Sequence, residues 1–510
     1  MKNELVLKFS DKAEKLQQLL KEKPEKYWNK RGEQTALTLF QAMAQRVPAY
    51  KDFLKKNAID PKKIKTIEDF KKIPVTNKQN YLLSYKLADL CWDGIFKEGH
   101  WMISSTSGST GEPFYFPRSH AQDDQFTLTA EICLREYFEI HKKSTLFLDC
   151  FALGVWIGGM FMYQVMRNLV NREHYNLSVI TPGADKTETL KAIQKLAPLF
   201  DQVIIGGYGP LVKDLVDDGI AQGIDLKKYN VKYFFAAEGF TENFRDYIAE
   251  HGGASDIHTS LINHYGTADL GTMSHETPTS ILIRRKALEN KKLFNGVFKQ
   301  AHRLPTLTQY IPELFFFEEV EGRLLCSGRG GFPLLRYDLK DRGGVCSMEE
   351  MEKRFEAHGV NLKKEIKKQN IEQSLWNLPF VYLYERTDFV VGIYSVNIYP
   401  ESIRKALEDR LLRKYLTGKF SMLVDFDKKQ NQFLEINIEL KSGVSETPEI
   451  TELALKVIVD RLNEENSEWK DFYEKPGIGD KVLPRIISWP YQDPKFFKPG
   501  GKQKWVKIKK

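Results

Sequence analysis

Apolar runs of strand length alternate with stretches of helical spacing along most of this chain. The run 202–208 (QVIIGGY) precedes helical spacing over 210–219, and 231–237 (VKYFFAA) precedes helical spacing over 242–252. Continuous apolar runs suit strands buried on both faces, and strand-then-helix repetition predicts layered α/β architecture. The first forty residues carry Lys and Glu at helical spacing and read as a helical addition. The segment 343–378 reads as an insertion holding a charged helix over 348–368, for which a surface cap, a partner contact and a substrate lid are all open readings. The uncharged stretch 150–166 is short for a membrane span. It follows Asp149, contains Gly154, Gly158, Gly159 and Gln164, and predicts a buried strand, loop and helix.

One polar interruption stands out. Between strand-like 101–104 and 114–117 lies SSTSGSTGEP, Ser104 to Pro113. Glycines let backbone N–H groups turn toward an anion, and Ser and Thr hydroxyls add donors, so the run reads as a phosphate-gripping loop. The G-x-x-x-x-G-K-[ST] pattern is missing and Glu112 stands where its cation would be, which disfavours a kinase-type or GTPase-type site. A Ser/Gly run on its own serves equally well as a connector.

Length and charge narrow the class. At 510 residues, 42% hydrophobic and 12% aromatic, the chain has enough apolar surface for a large domain plus a smaller one. The formal charge of +8, from 76 basic and 68 acidic residues, is modest, and no recognition motif accompanies the basic patches, so no nucleic-acid partner is expected. Anionic substrates suit the same field. Five cysteines without C-x-x-C or zinc spacing read as reduced thiols, and the charged N-terminus lacks a signal peptide's apolar block; both predict a cytoplasmic protein.

Ordered motifs then join the loop: STSGSTG at 105–111, Tyr265-Gly266-Thr267-Ala268-Asp269, Arg336-Tyr-Asp-Leu-Lys-Asp341, Arg386-Thr387-Asp388 and Gly501-Lys502. Together they resemble the acyl-adenylate-forming enzymes, and most of all the phenylacetate–CoA ligase family, whose stamp is visible in 331–337 (GFPLLRY), 396–400 (VNIYP), 47–50 (VPAY) and 67–74 (IEDFKKIP). The resemblance runs from residue 40 to the C-terminus. It implies a large adenylate-forming domain of layered sheets and helices over 1–386 and a small mobile α+β domain over 388–510. The implied activity is ATP-dependent activation of an aryl or arylacetic acid through acyl-AMP, followed by transfer to CoA, with Mg²⁺ assisting. Transfer to a carrier protein, another protein or an amine, and a catalytically weak nucleotide-binding protein, remain the alternatives. The family allows a homodimer.

The resemblance also implies roles. Ser105, Thr106, Ser107, Gly108, Ser109, Thr110 and Gly111 hold the β- and γ-phosphates. Glu238, Gly239, Asn263 and Tyr265 line the adenine, with Gly266 and Thr267 beside it. Asp341 takes both ribose hydroxyls, and Arg386 reaches the ribose or a phosphate. Asp269 presents Mg²⁺ from the place of the family's Glu, with Glu276 as a weaker assistant. Asp388 is the hinge and Lys502 the catalytic lysine. The chain departs from the pattern at Ala236 and Ala237, where the family has glycines, at Ala268, where it has Thr, and at Ser395, where it has Gly. His264 is expected to be structural. The aromatics Phe151, Trp156, Phe161 and Tyr163 suit either a ring-bearing acid or plain core packing.

Overall fold

The structure is a computed structural model that describes residues 3–105, 114–298, 304–386, 390–497 and 506, with the backbone alone at 385 and 386. These residues fall into two compact units, one of residues up to Ser105 and Tyr115–Glu385, the other of Phe114 and the residues from Arg386 on.

In the first unit, the expected strands flanking the Ser/Thr/Gly run, Met102–Ser105 (β1) and Tyr115–Arg118 (β2), pair antiparallel. The following apolar runs become parallel strands: Thr145–Asp149 (β3), Leu177–Ile180 (β4), Gln202–Gly207 (β5), Val231–Phe235 (β6) and the start of Leu261–Thr267 (β7). Helices such as Ile157–Asn171, Gly209–Ala221 and Glu242–His251 connect them. β3, β5 and β6 are buried at every position, which explains their largely apolar sequences. The sheet continues through Gly271–His275 (β8), Thr306–Gln309 (β9), Phe315–Val320 (β10), Arg323–Gly328 (β11), Leu334–Cys346 (β12) and Phe380–Arg386 (β13), giving the order β10-β11-β12-β13-β9-β8-β7-β6-β5-β3-β4. This is the expected mixed α/β fold.

Two features of the order position a site. The chain runs from β3 to β4 in one direction and returns past β3 to β5, so the carboxyl ends of β3 and β5 border a topological switch point, where open α/β sheets form ligand crevices. Asp149, Phe151, Gly206 and Gly207 lie there. A Cβ at Gly206 would sit 2.8 Å from the Phe147 ring, and one at Gly207 3.0 Å from Val212, so the strands leave room only for glycine. At the other end the sheet curls until the Tyr265 hydroxyl on β7 donates to Asp341 on β12, at 2.6 Å, although three strands separate β7 from β12 in the ladder.

The charged segment after β12 packs inward. Helices Met348–Glu356 and Leu362–Lys368 turn Met351, Phe355, Leu362 and Ile366 into a core shared with Ile283, Ala287, Phe380 and Tyr382. The segment therefore belongs to the packed body of the unit, and its charges form the outer face of amphipathic helices. From Glu4 on the N-terminal segment is largely helical as expected, in Glu4–Phe9, Ala13–Glu22 and Glu25–Arg46, and Trp28, Leu39 and Phe40 are buried. The stretch 150–166 is a loop and buried helix, and among the described residues no helix is long and apolar enough to cross a membrane. All five cysteines are buried free thiols.

The second unit holds a sheet of Leu416–Phe426 (β16), Gln432–Leu440 (β17) and Arg485–Trp489 (β18), packed by helices Pro400–Leu407 and Pro448–Glu465. It also holds a hairpin of Val391–Ile393 (β14) and Val396–Ile398 (β15). Tyr394 and Ser395 form its two-residue turn, both with positive φ (50° and 67°). That backbone suits glycine at little cost and serine at some. The turn geometry is kept at Ser395, and its buried hydroxyl has no hydrogen-bond partner among the described residues.

Candidate active site

The site is assembled from the curled half of the large sheet. β7 carries Asn263, Tyr265, Gly266 and Thr267, the turn to β8 carries Asp269, and β12 carries Tyr337 and Asp341. A Cβ at Gly266 would lie 2.7 Å from the Gly271 carbonyl, so glycine permits the irregular pairing at Tyr265/Gly266 that narrows the turn. Thr267 caps that turn, its hydroxyl accepting from the Leu270 N–H at 3.2 Å.

Two tyrosine–carboxylate pairs result. Tyr265 donates to Asp341 Oδ2, and Tyr337 donates to Asp269 Oδ1, each at 2.6 Å. Asp341 is buried at 3% exposure, so a ligand reaching it meets a carboxylate already aimed by a neighbour. Tyr337 is fixed in turn by an isolated bridge to Thr76, whose N–H donates to the Arg336 carbonyl and whose carbonyl accepts from the Asp338 N–H. That bridge brings up Lys78. Burial lowers the pKa of this lysine, and the charge of Asp269 opposes the shift. A half-buried cation beside Asp269 was not foreseen from sequence, because the only signal would have been a pairing between residues 76 and 337.

The residues expected to line the adenine also converge. Asn263 Nδ2 donates to the Glu238 carbonyl at 3.0 Å, which ties β7 to the loop after β6. Ala237 holds φ at 80°, the conformation glycine adopts freely, and a Cβ at Gly239 would lie 2.5 Å from Thr306 Oγ1. Ser105 closes β1, with its N–H committed to the Val155 carbonyl at 3.0 Å. Thr106, Ser107, Gly108, Ser109, Thr110, Gly111, Asp388 and Lys502 lie outside the described residues. Of Arg386 only the backbone, the last of β13, is described.

Glu276 does not belong to the site. It is fully buried and accepts from Arg245 Nη2 at 2.7 and 2.9 Å, from Arg284 Nη1 at 2.5 Å and from the Asn263 N–H at 3.0 Å. Both oxygens are engaged by guanidinium groups, so its role is to neutralise buried cations under β7, and the expectation that it assists a metal is corrected.

His264 is structural, as expected. It is buried, stacks on Phe234 with centroids 3.7 Å apart, and places Nδ1 3.1 Å from the Phe235 carbonyl. Its neighbour His275 is also buried, and burial pushes its pKa down to about 3. The unfolded chain takes up a proton below about 6.5, whereas folded His275 does not. Its contribution to stability is therefore fully present above that value and lost as pH falls toward 3. Replacing His275 with Phe should flatten the acid limb: between pH 6.5 and 5 the wild type should lose about 2 kcal/mol more than the variant, at about 1.4 kcal/mol per pH unit. Denaturant melts at both pH values measure this, and parallel losses would refute it. At the switch point, burial raises the Asp149 carboxyl to about 8, so this acid is largely protonated at neutral pH.

Comparison with protein-family models gives no match, and neither does comparison with curated protein sequences. Among solved structures the chain is similar to 2-hydroxyisobutyryl-CoA ligase bound to 2-HIB-AMP and CoA in its thioesterification state, with TM-score 0.64 over 96% of this chain and 91% of that one at 14% identity. The same ligase in a postadenylation state matches with TM-score 0.55 over 96% and 90% at 13% identity. An open form bound to 2-HIB-AMP and CoA matches with TM-score 0.52 over 95% and 91%, also at 13%. At these identities the likeness establishes a shared fold with that ligase.

Proposed function

We propose that this protein is an ATP-dependent carboxylic acid ligase that forms an acyl-AMP and transfers the acyl group to a thiol, CoA first among them. The observation that carries this reading is the pair of tyrosine-aimed carboxylates, Asp341 and Asp269, brought together by the curl of the sheet. Asp341 accepts the two ribose hydroxyls. Tyr265 and the Glu238–Gly239 loop, tied by Asn263, flank the adenine. The acid's carboxylate attacks the α-phosphorus, the bond to the bridging oxygen breaks, and pyrophosphate leaves. The chemistry needs positioning and positive charge at the phosphates more than proton transfer, because the acid is already ionised. The Ser/Thr/Gly run supplies donors, and Lys78 adds a cation from the half-buried wall beside Asp269.

Mg²⁺ on nucleotide phosphates typically takes only one or two protein carboxylates, so Asp269 alone suffices as the protein's contribution. Bound there, the ion would neutralise charge on the phosphate oxygens. The acid class implied by resemblance, aryl or arylacetic, has weaker support: Tyr163 is 42% exposed, and Trp156 pairs through its backbone with Ser105. Acid-dependent exchange of pyrophosphate into ATP, measured over a panel of acids with and without CoA, tests the proposal. Exchange without CoA consumption would move the acceptor to an amine or a carrier protein, and no exchange with any acid would overturn the reading.

The ribose assignment has its own test. Asp341→Ala should weaken ATP and AMP binding equally, about 10–100-fold by calorimetry, the scale of lost charged hydrogen bonds. Unchanged affinity in a folded variant would remove Asp341 from the nucleotide site.

A further inference from the structure

Arg118 closes β2 and is 1% exposed. Its guanidinium carbon lies 3.8 Å from the centroid of the Phe161 ring, which meets Phe126 edge-on at 4.7 Å. Among the described residues, none of Nε, Nη1 and Nη2 has a hydrogen-bond partner. Asp123 Oδ1 forms an ion pair with Nε at 3.9 Å, beyond hydrogen-bonding range, and has no hydrogen-bond partner among the described residues either. The fold treats its other fully buried arginines differently. Arg245 donates to Glu242, to Glu276 and to the Leu261 carbonyl, and Arg284 to Glu276 and to the Phe240 carbonyl. A guanidinium whose five donors make no hydrogen bond is costly in a protein interior, and the Phe161 ring and the charge of Asp123 offset only part of its desolvation.

Its place in the fold points to a use. Gly271, with φ at 78°, begins β8 directly after the turn that carries Asp269, and a Cβ there would come within 3.1 Å of Phe161. The turn of the candidate site thus leans on Phe161, and Phe161 leans on Arg118. The helix bearing Phe161 starts just beyond the switch point at β3 and β5. Phe161 lies against the guanidinium carbon, a contact that arginine combines with bidentate engagement of a carboxylate where its Nη donors are otherwise unused. Asp123 faces Nε, so Nη1 and Nη2 are the donors that remain. The guanidinium is shut off from water, where a charged pair gains strength.

We infer that Arg118 binds a second carboxylate on the acid, which makes the substrate class dicarboxylic acids in place of plain arylacetates. This rests on the acid-ligase reading above for the fate of the first carboxylate, but the anion site itself does not need catalysis to be seen. The experiment compares malonate, succinate, glutarate and adipate, each against the monocarboxylate of the same carbon count, by calorimetric binding and by pyrophosphate exchange, in the wild type and in Arg118→Met. At least one diacid should be preferred over its monoacid partner. Arg118→Met should lose that preference by about 10–100-fold, through KM and not through the KM for ATP. Its Tm should change little, because the apolar side chain of similar length removes a poorly satisfied cation while leaving Asp123, which burial already pushes toward its neutral form, without its ion-pair partner.

Equal use of diacids and monoacids by the wild type, or an unchanged ratio in the variant, overturns the proposal. A fall in Tm with no change in ratio overturns it too, leaving Arg118 a packing residue. Diacid binding that Arg118→Met abolishes, without exchange in either protein, upholds the anion site and removes the ligase reading instead. Absence of both binding and exchange for every diacid overturns the site.

Discussion

Lys502→Ala should lower acyl-AMP formation by roughly 10²–10³-fold, the scale of losing one preorganised contact to charge that develops in the transition state. The lysine lies outside the described residues, so the expectation comes from the Gly501-Lys502 pair and the resemblance that places it. Phosphoryl oxygens gain negative charge as pyrophosphate departs, and an ammonium brought over them lowers the barrier only while it is there. Thioester formation from supplied acyl-AMP should therefore be far less affected. Lys504→Ala is the control, because it removes a charge from the same basic tail without touching the pair, and both half-reactions should stay near wild type. Single-turnover measurement of each half-reaction separates the outcomes. If Lys504→Ala matches Lys502→Ala, the effect belongs to the tail's general charge and the assignment fails.

Glu276→Ala should cost about 3–5 kcal/mol of stability, because it strands Arg245 and Arg284 in the interior and also removes the acceptor of the Asn263 N–H. Burial pushes the carboxyl of Glu242 up, and Arg245 and Arg284 more than reverse this, holding it below the ordinary carboxylate range. That remaining carboxylate cannot neutralise both guanidiniums, and Arg285 also draws on it. Glu276→Gln should lose less, since it keeps the shape and one acceptor oxygen. Urea unfolding reads the difference. A metal-assisting role for Glu276 predicts the reverse pattern, near-normal stability with a raised Mg²⁺ requirement, and would be supported only by that result.

The two carboxylates illustrate how differently sequence reports on function. Asp269 and Glu276 stand seven positions apart, and both read as acids near a nucleotide motif. β8 turns the chain back between them: Asp269 stays in the turn, facing Tyr337 and Lys78, and Glu276 follows the strand into the core between two helices. No local pattern carries that distinction, since Arg245 and Arg284 approach Glu276 from either side of it in sequence. The segment 348–368 shows the same limit from the other direction. Its charges suggested an exposed addition, while the spacing of Met351, Phe355, Leu362 and Ile366 gave an apolar stripe that joined the core. Lys78 was invisible because its significance depends on Thr76 bridging Tyr337, and Arg118 because its significance is that its buried donors find no hydrogen-bond acceptor among the described residues.

What the sequence by itself determined was the local order of strands and helices, the two strands that flank the hydroxyl-rich run, the unpaired cysteines and the succession of motifs that carries the resemblance. These depend on side-chain period, turn chemistry and apolar content, which act over a few residues and survive any packing arrangement. Tertiary structure alone decided which motif residues meet. The curl that closes Tyr265 onto Asp341, the bridge that sets Tyr337 and Lys78 beside Asp269, and the burial of Arg118 against Phe161 all join residues far apart in the chain. Such contacts are set by sheet twist, strand order and competition for interior space, quantities that belong to the whole fold and to no single segment of it.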